Sequence, residues 1–178
     1  MSSTRTRITL RTGTPADARR LYALIAAEQA AGHLLPRTLA EVTLRAERFV
    51  VALRSRAIVG CAELAPLSPQ VAEVRSLVVA PSARSVGVGV GGMLVDELRS
   101  RARREGFDTL SAFTHAPGYF TPMGFSIVPH LWVTEKVYTD CVKCPQFRTC
   151  GQYAMVLPLD SLDDAEDREE HLLMAIPA

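Results

Sequence analysis

The stretch ARSVGVGVGG, residues 83–92, sets Gly87, Gly89 and Gly92 in a G-x-G-x-x-G spacing, with Gly91 inside it. Glycines so placed let a backbone approach phosphate oxygens, and the same pattern marks dinucleotide-binding folds. The dinucleotide reading fails on context. That motif follows its strand at once and needs an acid about 20 residues further on for the ribose. Here PSARSV intervenes, and SAFTHA, where the acid should fall, has none. What survives is a glycine-rich turn feeding a helix N-terminus. Unpaired N–H groups of the first turn and the helix dipole make that arrangement an anion cradle. Gly91 and Gly92 each weaken a helix by ~1 kcal/mol relative to Ala, so a loop under no constraint has no use for them.

Two further groups of residues have chemical spacing. Glu73 and Arg75 stand two apart in VAEVRSLVVA (71–80), so a strand there puts both on one face. Cys141, Cys144 and Cys150 form a C-x-x-C-x5-C run, with Cys61 apart from them. A closed zinc site needs a fourth ligand, which His130 or Asp140 would supply. The alternative is ordinary reduced thiols, and disulfides are disfavoured in the cytoplasmic setting expected below.

The elements that must carry these groups follow from pattern. ITLRT begins a strand at about 7–12. Thr14-Pro15-Ala16-Asp17 is a helix start, with Leu21, Leu24, Ile25 and Glu28 following at helical spacing and Gly32 ending the run. Residues 39–46 read as a shorter helix, and FVVALR and AIVGCAEL as a hairpin turning at Ser55-Arg56. The run 71–80 is the strongest strand, stopped by Pro81. Val90, Leu94, Leu98 and Ala102 then recur every four residues opposite Arg99, Arg103 and Arg104, an amphipathic helix over 89–105. TLSAFT (109–114), GFSIVP and YAMVLPL (153–159) are strands, PGYFTPM a short helix or turn, and VTEKVYTDCVKCPQFRTCG an irregular insertion. The order β-α-α-β-β-β-α-β-α-β-β predicts a single mixed α/β domain over 6–159 and an acidic tail over 160–178.

Composition narrows the function. The tail segment 160–170 holds seven of the 19 acids, so residues 1–159 carry 19 basic and 12 acidic side chains, a net of +7. That balance suits a small anionic ligand and is too dilute, and too poor in interleaved aromatics, for nucleic acid. No run approaches the roughly 18 apolar residues of a membrane span, and MSSTRTRITLR lacks the apolar region of a signal peptide. The expectation is a soluble cytoplasmic protein.

Arg84-Ser85-Val86-Gly87-Val88-Gly89 resembles the R/Q-x-x-G-x-G/A signature of the GNAT superfamily of acetyl-CoA-dependent N-acetyltransferases. GHLLPRTLAEV, AEVRSLVVAP, PGYFTPMGF and TEKVYTDCVKCPQFRTC together resemble its short stand-alone amino-acid N-acetyltransferases of the N-acetylglutamate synthase type. The likeness covers residues 6–159. It departs from the usual pattern at Ser85, where glycine is common, and at Val86, where a basic residue is common. Ala65 and Ser68 replace frequent aromatic or histidine positions.

The resemblance implies a GNAT-like domain with a mixed, mostly antiparallel central sheet flanked by helices. It implies that Arg84, Ser85, Val86, Gly87, Val88, Gly89 and Val90 hold the pyrophosphate of acetyl-CoA. The backbone of Leu77, Val78 and Val79 would pair with the pantetheine arm and polarise the thioester oxygen. Glu73 is the candidate base for the acceptor amine, with Glu63 second; a surface ion pair is the competing reading of Glu73. Tyr119 is the candidate acid, one residue before the usual tyrosine position, which Phe120 occupies; packing is its competing role, and His115 is another acid candidate. Arg37, Arg75 and Lys136 are the candidate substrate contacts, since carboxylates favour arginine forks. The implied reaction moves acetyl to the α-amino group of an amino acid, L-glutamate first, as in arginine biosynthesis. Another amine, a protein N-terminus, or acyl-CoA binding without turnover are the alternatives. The resemblance also admits a homodimer.

Overall fold

In chain order the elements are β1 (Ile8–Thr12), α1 (Ala18–Ala30), α2 (Leu39–Leu44), β2 (Phe49–Arg54), β3 (Ala57–Pro66), β4 (Val71–Val79) and α3 (Gly89–Arg104). There follow β5 (Thr109–Thr114), α4 (Pro117–Phe120), β6 (Ser126–Val128), α5 (Thr134–Thr139) and β7 (Tyr153–Pro158). The computed structural model describes residues 7–31, 34–84 and 89–159. Ser85, Val86, Gly87 and Val88, four of the expected phosphate contacts, and the acidic tail from 160 lie outside the described residues.

Local chemistry explains most boundaries. Before α1, Thr14 donates both its backbone N–H and its hydroxyl to Asp17, each at 2.9 Å, while Arg11 forks the same carboxylate at 2.7 and 2.8 Å. Ahead of α2, Thr38 and Glu41 exchange hydrogen bonds as a capping box. The β2–β3 hairpin turns where Ser55 adopts φ 58°. The segment expected to be irregular contains the six-residue α5, braced by an i,i+4 ion pair of Lys136 with Asp140.

The seven strands form one sheet in the order β1-β2-β3-β4-β5-β7-β6. All neighbours are antiparallel except β4 and β5. On one face α3 buries Val90, Leu94, Leu98 and Ala102, the stripe expected from the sequence, against Val50, Leu64, Val74 and Leu110. On the other, Leu21 and Ile25 of α1 and Val42 of α2 pack on Phe49, Val51, Cys61 and Val78.

Two irregularities at the centre of the sheet make the site. The parallel pairing of β4 with β5 runs from Val71–Thr109 to Val74–Ala112 and stops, so the two strands part. Just there β4 bulges: between the Glu63–Arg75 and Cys61–Val78 pairs, Ala62 of β3 faces both Ser76 and Leu77. Ser76 takes φ 51°, an uncommon conformation for a non-glycine residue. The extra residue changes the alternation. Ala72 and Val74 face α3 before the bulge, Leu77 and Val79 after it, while Val78 joins the α1 core.

Candidate active site

Where β4 and β5 part, a cavity of about 820 Å³ opens. Its walls come from Leu34, Leu35 and Pro36 before α2, from β4 residues 73–79, from Gly89, Val90 and Gly91 at the start of α3, and from Tyr119 after β5. Lys136 and Asp140, on and just after α5, close the far end.

At one end stands the helix terminus expected to hold an anion. Gly89 opens α3 with φ 42°, a conformation suited to glycine. Arg84 donates from Nε to the Val79 carbonyl at 2.9 Å and pairs with Glu28 of α1, which ties the loop after β4 to that helix. A β-carbon at Gly91 would lie 1.9 Å from the Tyr119 hydroxyl. Glycine is therefore what admits the phenol to the cavity. Phe120, at the position where tyrosine is usual, is instead core, edge-on to both Tyr119 and Phe125. Burial pushes the Tyr119 phenol above its ordinary value, so it is protonated at neutral pH.

At the other end four charged groups close a ring. Arg75 Nη2 binds Glu73 Oε2 and, at 2.6 Å, Asp140 Oδ2. Lys136 Nζ binds the same two oxygens at 2.9 and 2.8 Å. Lys136 and Glu73 are buried, whereas the Asp140 side chain is 36% exposed. Burial acts against the Arg75 charge, but Glu73 and Asp140 outweigh it and the guanidinium pKa is raised. Burial likewise opposes the Asp140 carboxylate, and Lys136 and Arg75 overcome it, so its pKa is lowered. The bonds to Glu73 converge on Oε2; Oε1 receives none from a described residue.

Arg37 lies behind the wall that Leu34, Leu35 and Pro36 present to the cavity. Its Nη1 donates to the fully buried Glu63 at 2.8 Å and to the Ser76 hydroxyl at 3.3 Å. Arg45 Nη1 reaches the other Glu63 oxygen at 3.4 Å. Glu63 is thus spent on anchoring the loop before α2 to the bulge. Sequence reasoning missed that anchor and also Asp140 as the fourth member of the ring, although its spacing of four from Lys136 was visible.

The zinc expectation for Cys141, Cys144 and Cys150 is not supported. Among the described residues no group of three or more His, Cys, Asp or Glu side chains is arranged to hold a metal ion. Of the two expected fourth ligands, Asp140 serves the ion ring, and His130 packs on the Phe113 ring at 5.7 Å with its Nε2 buried and unpartnered among the described residues. Cys150 is exposed, and burial pushes the Cys141 thiol up.

Residues 16–125 match the model of the acetyltransferase (GNAT) family, and the chain belongs to that family. An uncharacterised N-acetyltransferase of Chlorobaculum tepidum is 29% identical over 128 residues, covering 72% of this chain and 81% of that one. Among solved structures, the fold is similar to N-acetylglutamate synthase from Neisseria gonorrhoeae complexed with coenzyme A and N-acetyl-glutamate. The TM-score is 0.77 at 21% identity, over 88% of this chain and 36% of that one, so this chain spans about a third of the synthase. Rv2747 from Mycobacterium tuberculosis, in complex with CoA and NLQ, superposes with TM-score 0.71 at 22% identity, over 85% of this chain and 99% of that one. The protein is a GNAT-family acetyltransferase, and its described residues form one α/β domain. No helix among the described residues is long and apolar enough to cross a membrane.

Proposed function

We propose that this N-acetyltransferase acetylates the α-amino group of an amino acid, with L-glutamate the acceptor. The observation that carries the reading is one cavity with two unlike ends. A glycine-lined helix N-terminus suits the anionic diphosphate of coenzyme A, and paired cations suit the carboxylates of an acidic amino acid. The two solved structures with coenzyme A, one holding N-acetyl-glutamate, support it.

Residues of this chain fit the co-substrate. Past Val74 the β5 side of β4 pairs with no described strand, which supports the backbone of Leu77, Val78 and Val79 as the partner of the pantetheine arm. Arg84, Gly89 and Val90 line the phosphate end, and Ser85, Val86, Gly87 and Val88 are proposed to complete it. Acetyl-CoA, when bound, supplies the thioester. Glu73 receives the acceptor amine at Oε1 and takes its proton, directly or through water. The protonated Tyr119 hydroxyl gives a proton to the leaving sulfur. Arg75 and Lys136 orient the acceptor, and Arg37 holds the Leu34–Pro36 wall over it.

The test is a thiol-release assay with acetyl-CoA across the twenty amino acids. Release confined to glutamate, or to glutamate and glutamine, supports the reading. Release only with other amines, or coenzyme A binding without release, overturns it.

A further inference from the structure

The Arg75–Lys136 cation pair already has an occupant. Asp140 Oδ2 accepts from Arg75 Nη2 at 2.6 Å and from Lys136 Nζ at 2.8 Å, a two-cation grip such as an incoming carboxylate would need. The ring of Glu73, Arg75, Asp140 and Lys136 is neutral, so the cations offer no surplus charge to an anionic acceptor while all four members stay in place.

The members are not equally held. Glu73 sits inside β4 with its side chain 5% exposed and Lys136 is 7% exposed, so neither can leave without stranding a buried charge. Asp140 is the exception. Its side chain is 36% exposed, it follows the last residue of the six-residue α5, and a 3-10 turn begins directly after it. A carboxylate already touching water loses little solvation by rotating out.

We propose that Asp140 is a resident competitor, whose carboxylate fills the Arg75–Lys136 pair until the side-chain carboxylate of an acidic acceptor replaces it, and that Asp140 thereby sets the affinity and charge preference for the acceptor. The inference rests on the amino-acid reading above for the identity of that acceptor. An acceptor with an uncharged side chain does not need the exchange, because its amide can bond to Asp140 in place. The wild-type ring therefore narrows the difference between glutamate and glutamine that bare cations would create.

Asp140→Asn keeps a hydrogen-bond acceptor between the two cations and removes the competing charge. Its KM for glutamate should fall about threefold to tenfold, with KM for acetyl-CoA unchanged and the preference for glutamate over glutamine increased. Asp140→Ser should move the same constants the same way, and thermal melting confirms that each variant is folded. A KM for glutamate that rises or stays equal would show that Asp140 merely props the cations, and overturns the proposal. The second measurement is calorimetric titration of the coenzyme A complex with glutarate, a dicarboxylate without an amine. Tighter glutarate binding by Asp140→Asn upholds the competitor even if no amino acid is acetylated, an outcome that would sink only the acceptor reading. Equal or weaker glutarate binding overturns the competitor even if glutamate is the acceptor.

Discussion

The Tyr119 hydroxyl lies over the α-carbon of Gly91, so close that a β-carbon there would stand 1.9 Å from the phenolic oxygen. Gly91→Ala must therefore expel the phenol or shift α3. If Tyr119 donates the proton to the leaving sulfur, Tyr119→Phe should lower kcat by about 100-fold, the low end for a general acid. The KM for acetyl-CoA should change little. Gly91→Ala should reproduce that loss, and the double variant should be no worse than the worse single one. Steady-state kinetics on the three variants decide it; additive losses would mean that the glycine serves something other than the tyrosine.

Arg75 and Lys136 share their acceptor oxygens, so neither can be removed without cost to the other. Arg75→Ala should raise the KM for the amino acid by at least about tenfold, the loss of one charge-assisted bond. The KM for acetyl-CoA should stay within about twofold. Equal increases in both constants would place Arg75 outside the acceptor end.

Arg37 is bonded to a carboxylate that has no exposure to water. Arg37→Met leaves Glu63, among the described residues, with only the 3.4 Å contact from Arg45. Breaking a buried pair in this way costs about 3 kcal/mol, measurable by urea denaturation. Combining it with Glu63→Gln should recover much of that loss, because the stranded charge is then gone. Recovery of stability without recovery of acceptor KM would separate the anchor from the wall it holds.

The Arg11 fork, opposed by burial and aided by the Thr14 bonds, holds Asp17 well below the usual carboxylate range. A depressed folded-state value means the ionised form stabilises the fold above the unfolded pKa, near 3.9. The contribution fades as the pH falls towards the folded value. Asp17→Asn should cost roughly 1–2 kcal/mol at pH 7, limited by the exposed side of Arg11. The stabilities of variant and parent should converge towards pH 2 in thermal melts across that range.

Cys61 is fully buried and, through burial and the nearby Glu63 charge, pushed up to about 12. Native alkylation at pH 8 should therefore modify Cys150, which is exposed, and leave Cys61 untouched until denaturant is added. Mass spectrometry of digested protein reads this directly.

The strands and the long helices were legible because their signals are local. Val90, Leu94, Leu98 and Ala102 declare one helical face whatever surrounds them, and TLSAFT is a strand from Thr109 to Thr114 as its pattern predicts. The Glu73–Arg75 pairing was legible for the same reason, since alternation alone puts them side by side. The bulge at Ser76 was not, because nothing in Arg75-Ser76-Leu77 marks a positive φ; it goes with the register against β3 across the sheet, and the Ser76 hydroxyl meets Arg37 from 39 residues away. Asp140 was offered, beside His130, only as a fourth zinc ligand because the neighbouring cysteines suggested one, whereas the nearest strong charges in space come from β4 and α5. Tyr119 was read as a candidate acid one residue off the usual tyrosine position, with packing as its competing role. The one-turn α4 presents it to the cavity and sends Phe120 inward.

The extra residue at Ser76 gives one strand two audiences. In the proposed reading, side chains at 73 and 75, upstream of it, meet whatever molecule arrives with the amine, and the main chain at 77 to 79, downstream, meets whatever arrives with the acyl group. Because the first conversation is held by side chains and the second by peptide units, a change of letters at 73 or 75 can retune the choice of acceptor without rewording the grip on the donor.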